Sequence, residues 1–277
     1  MKESKPVDVA EYVTARGIQD EPAFVWWVSY TLRKRDFIVS AVSSRVRKCS
    51  HKYGIEIPTS ITHATRIDQK NGNTFWTDAI LKKMKTVGIA FTILDLGKKA
   101  PPGWAKASGH LGFDIKMDFT RKARWVKDGH LSPIPTTSAY AGVVSRESVR
   151  VGLTYAALMD LEVMAEDIQN AYLQAPSSEK DFIIFGAEFG LEHIGKAALI
   201  TLVLYGGKFA ERDFWHHLRD CMNFLGFTSC QADPDVWMRA ATKPDGVEYF
   251  EYVLLYVDDC LVISHKPVEI LREEIGR

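Results

Sequence analysis

EYVLLYVDDCLVISH, residues 251–265, is the stretch whose reading decides the fold. Two β-rich runs, Tyr252 to Val257 and Cys260 to Ile263, flank a bare Asp258-Asp259 pair. Apolar runs with so short a polar interruption predict a buried hairpin whose turn is the acidic pair. Neighbouring carboxylates repel each other by roughly 4 kcal/mol at 4 Å in a partly buried setting. A hard divalent cation bound through carboxylate oxygens would offset that cost. An ordinary exposed Asp-Asp turn is the plainer reading of such a pair. The flanking strands and a second acidic motif upstream favour the ion-binding one.

That second motif is Leu161 to Asp167, a predicted strand ending in an acid and followed directly by Ile168 to Leu173. An Asp at a strand's end, 91 residues before Asp258, can bring a third carboxylate to one metal cluster. Divalent ions held this way activate an attacking oxygen and stabilise a leaving one in phosphoryl transfer. Further upstream, Leu111 to Val126 predicts a β-hairpin whose second arm carries Arg121, Lys122, Arg124 and Lys127. Alternate strand residues point the same way, so Lys122 and Arg124 share a face. Two cations at that spacing suit a triphosphate. A basic strand edge that merely discourages aggregation is the simpler alternative.

The remaining segments are read from their periodicity. Ala23 to Val28 is a short apolar run, taken as a strand. Ile38, Val42, Val46 and Cys49 recur at helical spacing, with Arg45, Arg47 and Lys48 off the stripe, a pattern that suits nucleic acid, an import signal or a solvated face. Pro58-Thr59-Ser60 starts another helix that Asn71-Gly72 ends. Trp76, Ile80, Met84 and Val87 form the next stripe, closed by Gly88. A strand follows at Ile89 to Leu94, then a connecting loop from Gly97 to Gly109 with Pro101-Pro102. Gly129 to Pro135 is loop. Ser145 to Leu158 is helical with Val149, Leu153 and Ala156 or Ala157 inward. Phe182 to Phe185 is a strand. Lys208 to Phe224 is an amphipathic helix through Phe214, Leu218, Cys221 and Met222 or Leu225, stopped by Gly226.

The 46% hydrophobic and 25% charged residues fit a folded chain with a sizeable core. Positive and negative residues balance at 35 each, so only their distribution is informative. Seven Lys or Arg between Thr31 and Lys52 face one acid, Asp36, while eight acids between Asp160 and Glu192 face one base, Lys180. The four cysteines, Cys49, Cys221, Cys230 and Cys260, show no CxxC spacing, which suits a reducing interior. A zinc set from His216 or His217 with Cys221 and Cys230 matches no usual spacing. No apolar run reaches 18 residues, so no membrane span is expected. GxxxxGK[ST], GxGxxG, HExxH and GxSxG are all absent.

Taken together, the motifs Asp167-Ile168-Gln169-Asn170-Ala171-Tyr172-Leu173, Leu204-Tyr205-Gly206, Leu225-Gly226-Phe227, Ala232-Asp233-Pro234-Asp235 and Tyr256-Val257-Asp258-Asp259 resemble the reverse transcriptase domain of copia-type LTR retrotransposons. The resemblance covers roughly residues 75–266. It implies an α+β fold, the fingers and ferredoxin-like palm of a right-hand polymerase, preceded by an N-terminal segment of unassigned role (1–74). The fingers and palm then occupy 75–277, and the thumb, RNase H, integrase and protease of a full polyprotein are expected to be missing. It implies that Asp167, Asp258 and Asp259 are the catalytic acids, holding two Mg²⁺ ions (Mn²⁺ may substitute) with the Ile168 carbonyl. Tyr172 matches the aromatic gate under the incoming sugar, Lys122 and Arg124 the triphosphate contacts, and Phe209 and Ala210 lie where the family packs against the nascent base pair. The implied partners are a primed RNA or DNA template and dNTPs, with no membrane. The implied location is intracellular, in cytoplasmic particles or the nucleus. Gly207 replaces the usual Leu of LYGL, Phe209 a Gln or Ser, and Glu211 a Gly or Pro. With these departures, a catalytically inactive nucleic-acid-binding remnant is the alternative expectation.

Overall fold

The computed structural model describes residues 50–131 and 137–276. The chain divides into two compact units, Met1–Glu56 and Ile57–Arg277. In the first, β1 (His51–Lys52) and β2 (Ile55–Glu56) pair antiparallel about Tyr53-Gly54. The strand expected at Ala23 to Val28 and the basic helix over Asp36 to Cys49 lie outside the described residues, as does most of the basic run.

The second unit mixes helices and sheets. Its first helix, α1 (Ile61–Asn71), is capped by the Ser60 hydroxyl, which accepts from the His63 N–H at 3.1 Å, and closed by Gly72 in the left-handed region. Helix α2 (Phe75–Val87) buries the expected stripe of Trp76, Ile80, Met84 and Val87. Its N-terminal amides are satisfied from α1: the buried Asp68 carboxylate accepts from Trp76 N–H at 3.1 Å and from Thr77 N–H at 2.8 Å. Strand β3 (Phe91–Ile93) follows a 3₁₀ turn. It joins a four-stranded sheet of order β3-β9-β8-β4, made with β4 (Ala105–Lys106), β8 (Asp181–Ile184) and β9 (Ala197–Ile200). Strand β4 lies inside the segment read as loop. Two residues give no periodicity to detect, and they earn strand status by pairing parallel with β8.

Strands β5 (Gly109–Ile115) and β6 (Arg121–Lys127) form the expected hairpin. An aromatic cluster holds it to the four-stranded sheet. The Phe91 ring lies edge-on to Trp125, Phe185 and Phe189, with centroids 5.2–5.6 Å apart.

The larger, five-stranded sheet is antiparallel throughout and ordered β10-β11-β12-β13-β7, from β7 (Glu162–Asp167), β10 (Thr228–Ser229), β11 (Val236–Thr242), β12 (Glu248–Tyr256) and β13 (Asp259–Ser264). Strict alternation divides its residues between two layers. Trp237, Val253, Leu255, Cys260 and Val262 pack with Phe214, Leu218 and Met222 of α4 (Ala210–Phe224). Val236, Leu254 and Ile263 pack with α3 (Arg146–Leu158) on the opposite layer.

Two helix faces differ from expectation. Leu153 of α3 is 45% exposed, not inward. Gly152 takes the inward place, because a Cβ there would meet Ile263 Cδ1 at 2.9 Å, so the helix approaches the sheet through its smallest residue. In α4, Met222 is fully buried while Cys221 is only half-buried. Asp233 and Asp235 of the Ala232-Asp233-Pro234-Asp235 motif hold structural hydrogen bonds. Asp233 accepts from Ser145 N–H (2.9 Å) and the Ser148 hydroxyl (2.6 Å) at the start of α3, and Asp235 accepts from the Trp215 indole N–H at 2.6 Å.

The C-terminal turn α5 (Pro267–Glu269) runs into a π-helical stretch, Ile270–Ile275. It is tied to the sheet by Arg239, which donates to the buried Glu251 at 2.8 and 3.0 Å and to Glu274 at 2.7 and 3.1 Å.

Candidate functional site

The acids far apart in sequence meet at one end of the five-stranded sheet. Asp167, last in β7, lies directly opposite Asp259, first in β13. Asp259 also pairs with Tyr256, so the tight turn is Val257-Asp258 and not the expected Asp258-Asp259. One residue of the acidic pair is in the turn and the other already in the ladder. The chain locks the arrangement through its backbone, the Ile168 N–H donating to the Asp258 carbonyl at 2.7 Å. Val257 holds φ at +56°, a left-handed conformation that strains a β-branched residue.

The electrostatics register this convergence. Burial, the nearby charges of Asp258 and Asp259, and a hydrogen bond with the Asp258 carboxyl push the Asp167 carboxyl above its ordinary range. Lys122 on β6 opposes that rise. The sequence-predicted cations therefore reach the acids: Lys122 lies close enough to sense Asp167, with Arg124 beside it. Lys127, counted with them from sequence, belongs elsewhere. It is buried on the other face of β6, bridging Glu179 at 3.0 Å and in direct contact with Asp181. Of the eight acids in the 160–192 segment, Glu166 also pairs away from the site, with Arg272 at 2.9 Å, and Glu192 lies 3.6 Å from the His193 ring.

Two tyrosines floor the site. Tyr172, on the 3₁₀ turn Ala171–Gln174, packs edge-on to Tyr205 (centroids 4.7 Å apart) and Phe214 (5.7 Å). Burial first, then the charges of Glu211 and Asp258, push its phenol up to about 12. Tyr205 is also raised, by burial and by Asp258. Sequence reasoning missed Tyr205 as part of the site, although it stands in the Leu204-Tyr205-Gly206 motif. Of the other expected residues, Ala210 is buried in the core against α4's neighbours, so its side chain lines no surface. Phe209 is half-buried under the Arg212 guanidinium, 3.9 Å from its ring centroid.

The hairpin is seated on the 204–207 loop by close backbone contact. Lys127 N–H donates to the Tyr205 carbonyl at 2.7 Å, and Gly206 holds φ at +86° with no room for a Cβ against the Lys127 carbonyl. Gly206→Ala is expected to cost about 2–4 kcal/mol, from left-handed strain plus overpacking. A urea midpoint within error of the wild type would contradict this seating.

Among the described residues no cluster of three or more His, Cys, Asp or Glu side chains could hold a metal ion alone. Cys221 and His217 approach to 3.9 Å, without further ligands. Asp167 and Asp258 form a two-carboxylate pair whose mutual repulsion a divalent ion would offset. That donor set fits Mg²⁺, which keeps several waters and takes one or two carboxylates plus substrate phosphates. Nor is any helix among the described residues long and apolar enough to cross a membrane.

No family model matches the chain. A stretch of 148 residues, 52% of this chain, is 30% identical to the retrovirus-related Pol polyprotein from transposon TNT 1-94 of Nicotiana tabacum. The match covers 11% of that polyprotein, so the chain spans a small part of its relative's length. This partial similarity supports an origin in a copia-type retrotransposon Pol polyprotein.

Proposed function

We propose that this chain is a reverse transcriptase domain, transferring deoxynucleotides from dNTPs to a primer 3′-hydroxyl on an RNA or DNA template. In this reading the five-stranded sheet with α3 and α4 is the palm, and the β5–β6 hairpin with α2 and the four-stranded sheet is the fingers. The observation that carries it is the meeting of Asp167 with the Asp258–Asp259 hairpin, opposite the cationic face of β6.

Asp167 and Asp258 would hold Mg²⁺, with the Ile168 carbonyl and Asp259 adjacent. Bound there, the metal supplies Lewis acidity that lowers the pKa of an attacking hydroxyl and neutralises phosphate charge. Lys122 and Arg124 grip the triphosphate and align its α-phosphorus, which converts binding energy into orientation. Tyr172 and Tyr205, packed against each other, present a rigid wall to the incoming sugar. A 2′-hydroxyl has no space against such a wall, so deoxynucleotides are selected by shape.

The test is primer extension on a primed RNA template with dNTPs and Mg²⁺ or Mn²⁺, wild type beside Asp258→Asn. Extension by the wild type and none by the variant is expected; equal extension by both refutes the role of Asp258. A second reading, a primer–template-binding remnant without turnover, is favoured by one observation: the Glu211 carboxylate lies near enough to Tyr172 to act on its phenol ahead of Asp258. A carboxylate there repels an incoming triphosphate. Binding of primer–template without extension by the wild type is the outcome for that reading.

A further inference from the structure

Helix α2 brings a third cation to the site, one that no motif marks. Its buried stripe docks on the hairpin, Trp76 edge-on to Phe113 (5.8 Å), while the exposed Phe75 lies under the Arg121 guanidinium (5.2 Å). Lys83 sits at the margin of that stripe, next to buried Met84 and half-buried itself. Its ammonium lies over the Tyr205 ring, 5.6 Å from the centroid. Tyr205 in turn packs on Tyr172, so Lys83 stands over the tyrosine pair, within reach of the charges of Arg124 and Lys122.

The ion pairs among the described residues do not include Lys83, Lys122 or Arg124. Lys122 has Asp114 opposite it in the hairpin ladder, and the charges of Asp114 and Asp167 both reach it. Burial together with the charges of Arg124 and Lys122 holds the Lys83 ammonium below its ordinary pKa. Three gathered cations repel one another, and a polyanion with several charges at short spacing relieves that repulsion.

We propose that Lys83 is a third phosphate-binding residue, which with Lys122 and Arg124 forms a three-cation cradle for the triphosphate tail of the incoming nucleotide. This rests on the nucleotidyl-transfer reading and extends it to a residue on a different element. A helix-borne lysine adds a donor from a second direction, where the two hairpin cations share one strand face. Nucleic-acid backbone phosphates offer the same chemistry. The triphosphate is favoured because Lys122 lies within range of Asp167, and the Tyr205 ring under Lys83 lies within range of Asp258, where the reacting phosphate must lie.

The experiment titrates the full chain with inorganic tripolyphosphate and, in a parallel arm, with a single-stranded oligonucleotide, at low salt. Compared are the wild type, Lys83→Gln, Lys83→Arg, Lys122→Gln and, as a control for net charge on the same helix, the exposed Lys82→Gln. Loss of one charge-assisted contact is expected to weaken tripolyphosphate binding about tenfold in Lys83→Gln. Lys83→Arg should recover most of it and Lys82→Gln should match the wild type. Tripolyphosphate should also slow acetylation of Lys83 in the unmutated protein, read by mass spectrometry, and leave Lys82 unchanged. This second readout stands even if Lys83→Gln fails to fold. Wild-type affinity in Lys83→Gln with a loss in Lys122→Gln, or equal labelling of Lys83 with and without ligand, overturns the role of Lys83 alone. A loss confined to the oligonucleotide arm overturns the triphosphate assignment. No tripolyphosphate binding by the wild type overturns the nucleotidyl-transfer reading on which the inference stands.

Discussion

Asp167→Asn is expected to move activity and stability in opposite directions. Replacing one member of the Asp167–Asp258 pair removes a charged oxygen donor and should cut nucleotide incorporation on the order of a thousandfold, equivalent to about 4 kcal/mol of barrier. The same substitution should raise the melting temperature at neutral pH. Burial and the charges of Asp258 and Asp259 hold the Asp167 carboxyl above its unfolded value, so the native state binds its proton more tightly than the unfolded state does. By linkage, stability then falls as pH rises from the unfolded pKa through the raised native one, and is lowest once all the acids are ionised. Asn keeps the shape and deletes the repulsion. Mg²⁺ or Mn²⁺ should stabilise the wild type at neutral pH, by offsetting that same repulsion, and the variant much less. Thermal melts from acid to neutral pH, with and without the ion, check both signs. A variant that melts lower than the wild type at neutral pH would mean that the acids are not held in mutual repulsion.

Lys127→Met should be the most damaging single change away from the acids. Its side chain is 2% exposed and meets two carboxylates, Glu179 and Asp181, themselves largely buried. Removing the cation strands both negative charges in the interior, which costs about 3–5 kcal/mol. A triple variant, Lys127→Met with Glu179→Gln and Asp181→Asn, should recover most of the loss, since the damage comes from the uncompensated charges. Chemical denaturation of wild type, single and triple variants measures it. A single variant that loses less than about 1 kcal/mol would show that water reaches these carboxylates.

Lys127 also marks a boundary on what the sequence discloses. Period-2 alternation places Lys122 and Arg124 on one face of β6 and Arg121, Ala123, Trp125 and Lys127 on the other, and the structure agrees. What the pattern withholds is which face is covered. Proximity in sequence groups Lys127 with the exposed cations; two acids more than fifty residues away pull it inside. The helix α2 stripe was fully legible because Trp76, Ile80, Met84 and Val87 are large and apolar. The α3 stripe was legible at Val149 and Ala156 but not between them, because Gly152 and not Leu153 meets the sheet there, and glycine carries no hydrophobic signal. The two-residue strand β4 exists only through its partner. Of the candidate site, the acids and the β6 cations were readable as motifs; Tyr205 stood in a motif without an assigned role, and Lys83 joins them through tertiary packing alone.

Among the described strands β7 is outermost in its sheet, with β13 as its one ladder partner. Asp258 and Asp259 ride on a hairpin flanked by strands on both sides, whereas Asp167 rides on a rim. Its moorings include that single ladder, the packing of Met164 and Ile168 on the core, the Ile168–Asp258 amide contact and the Glu166–Arg272 bridge. A one-residue slip would turn Asp167 to the reverse side and leave the hairpin intact. Rim strands peel at a fraction of the global unfolding cost. The molecule can therefore lose its paired acids by local fraying while the core stays folded, and anything that braces that rim prolongs the competent state.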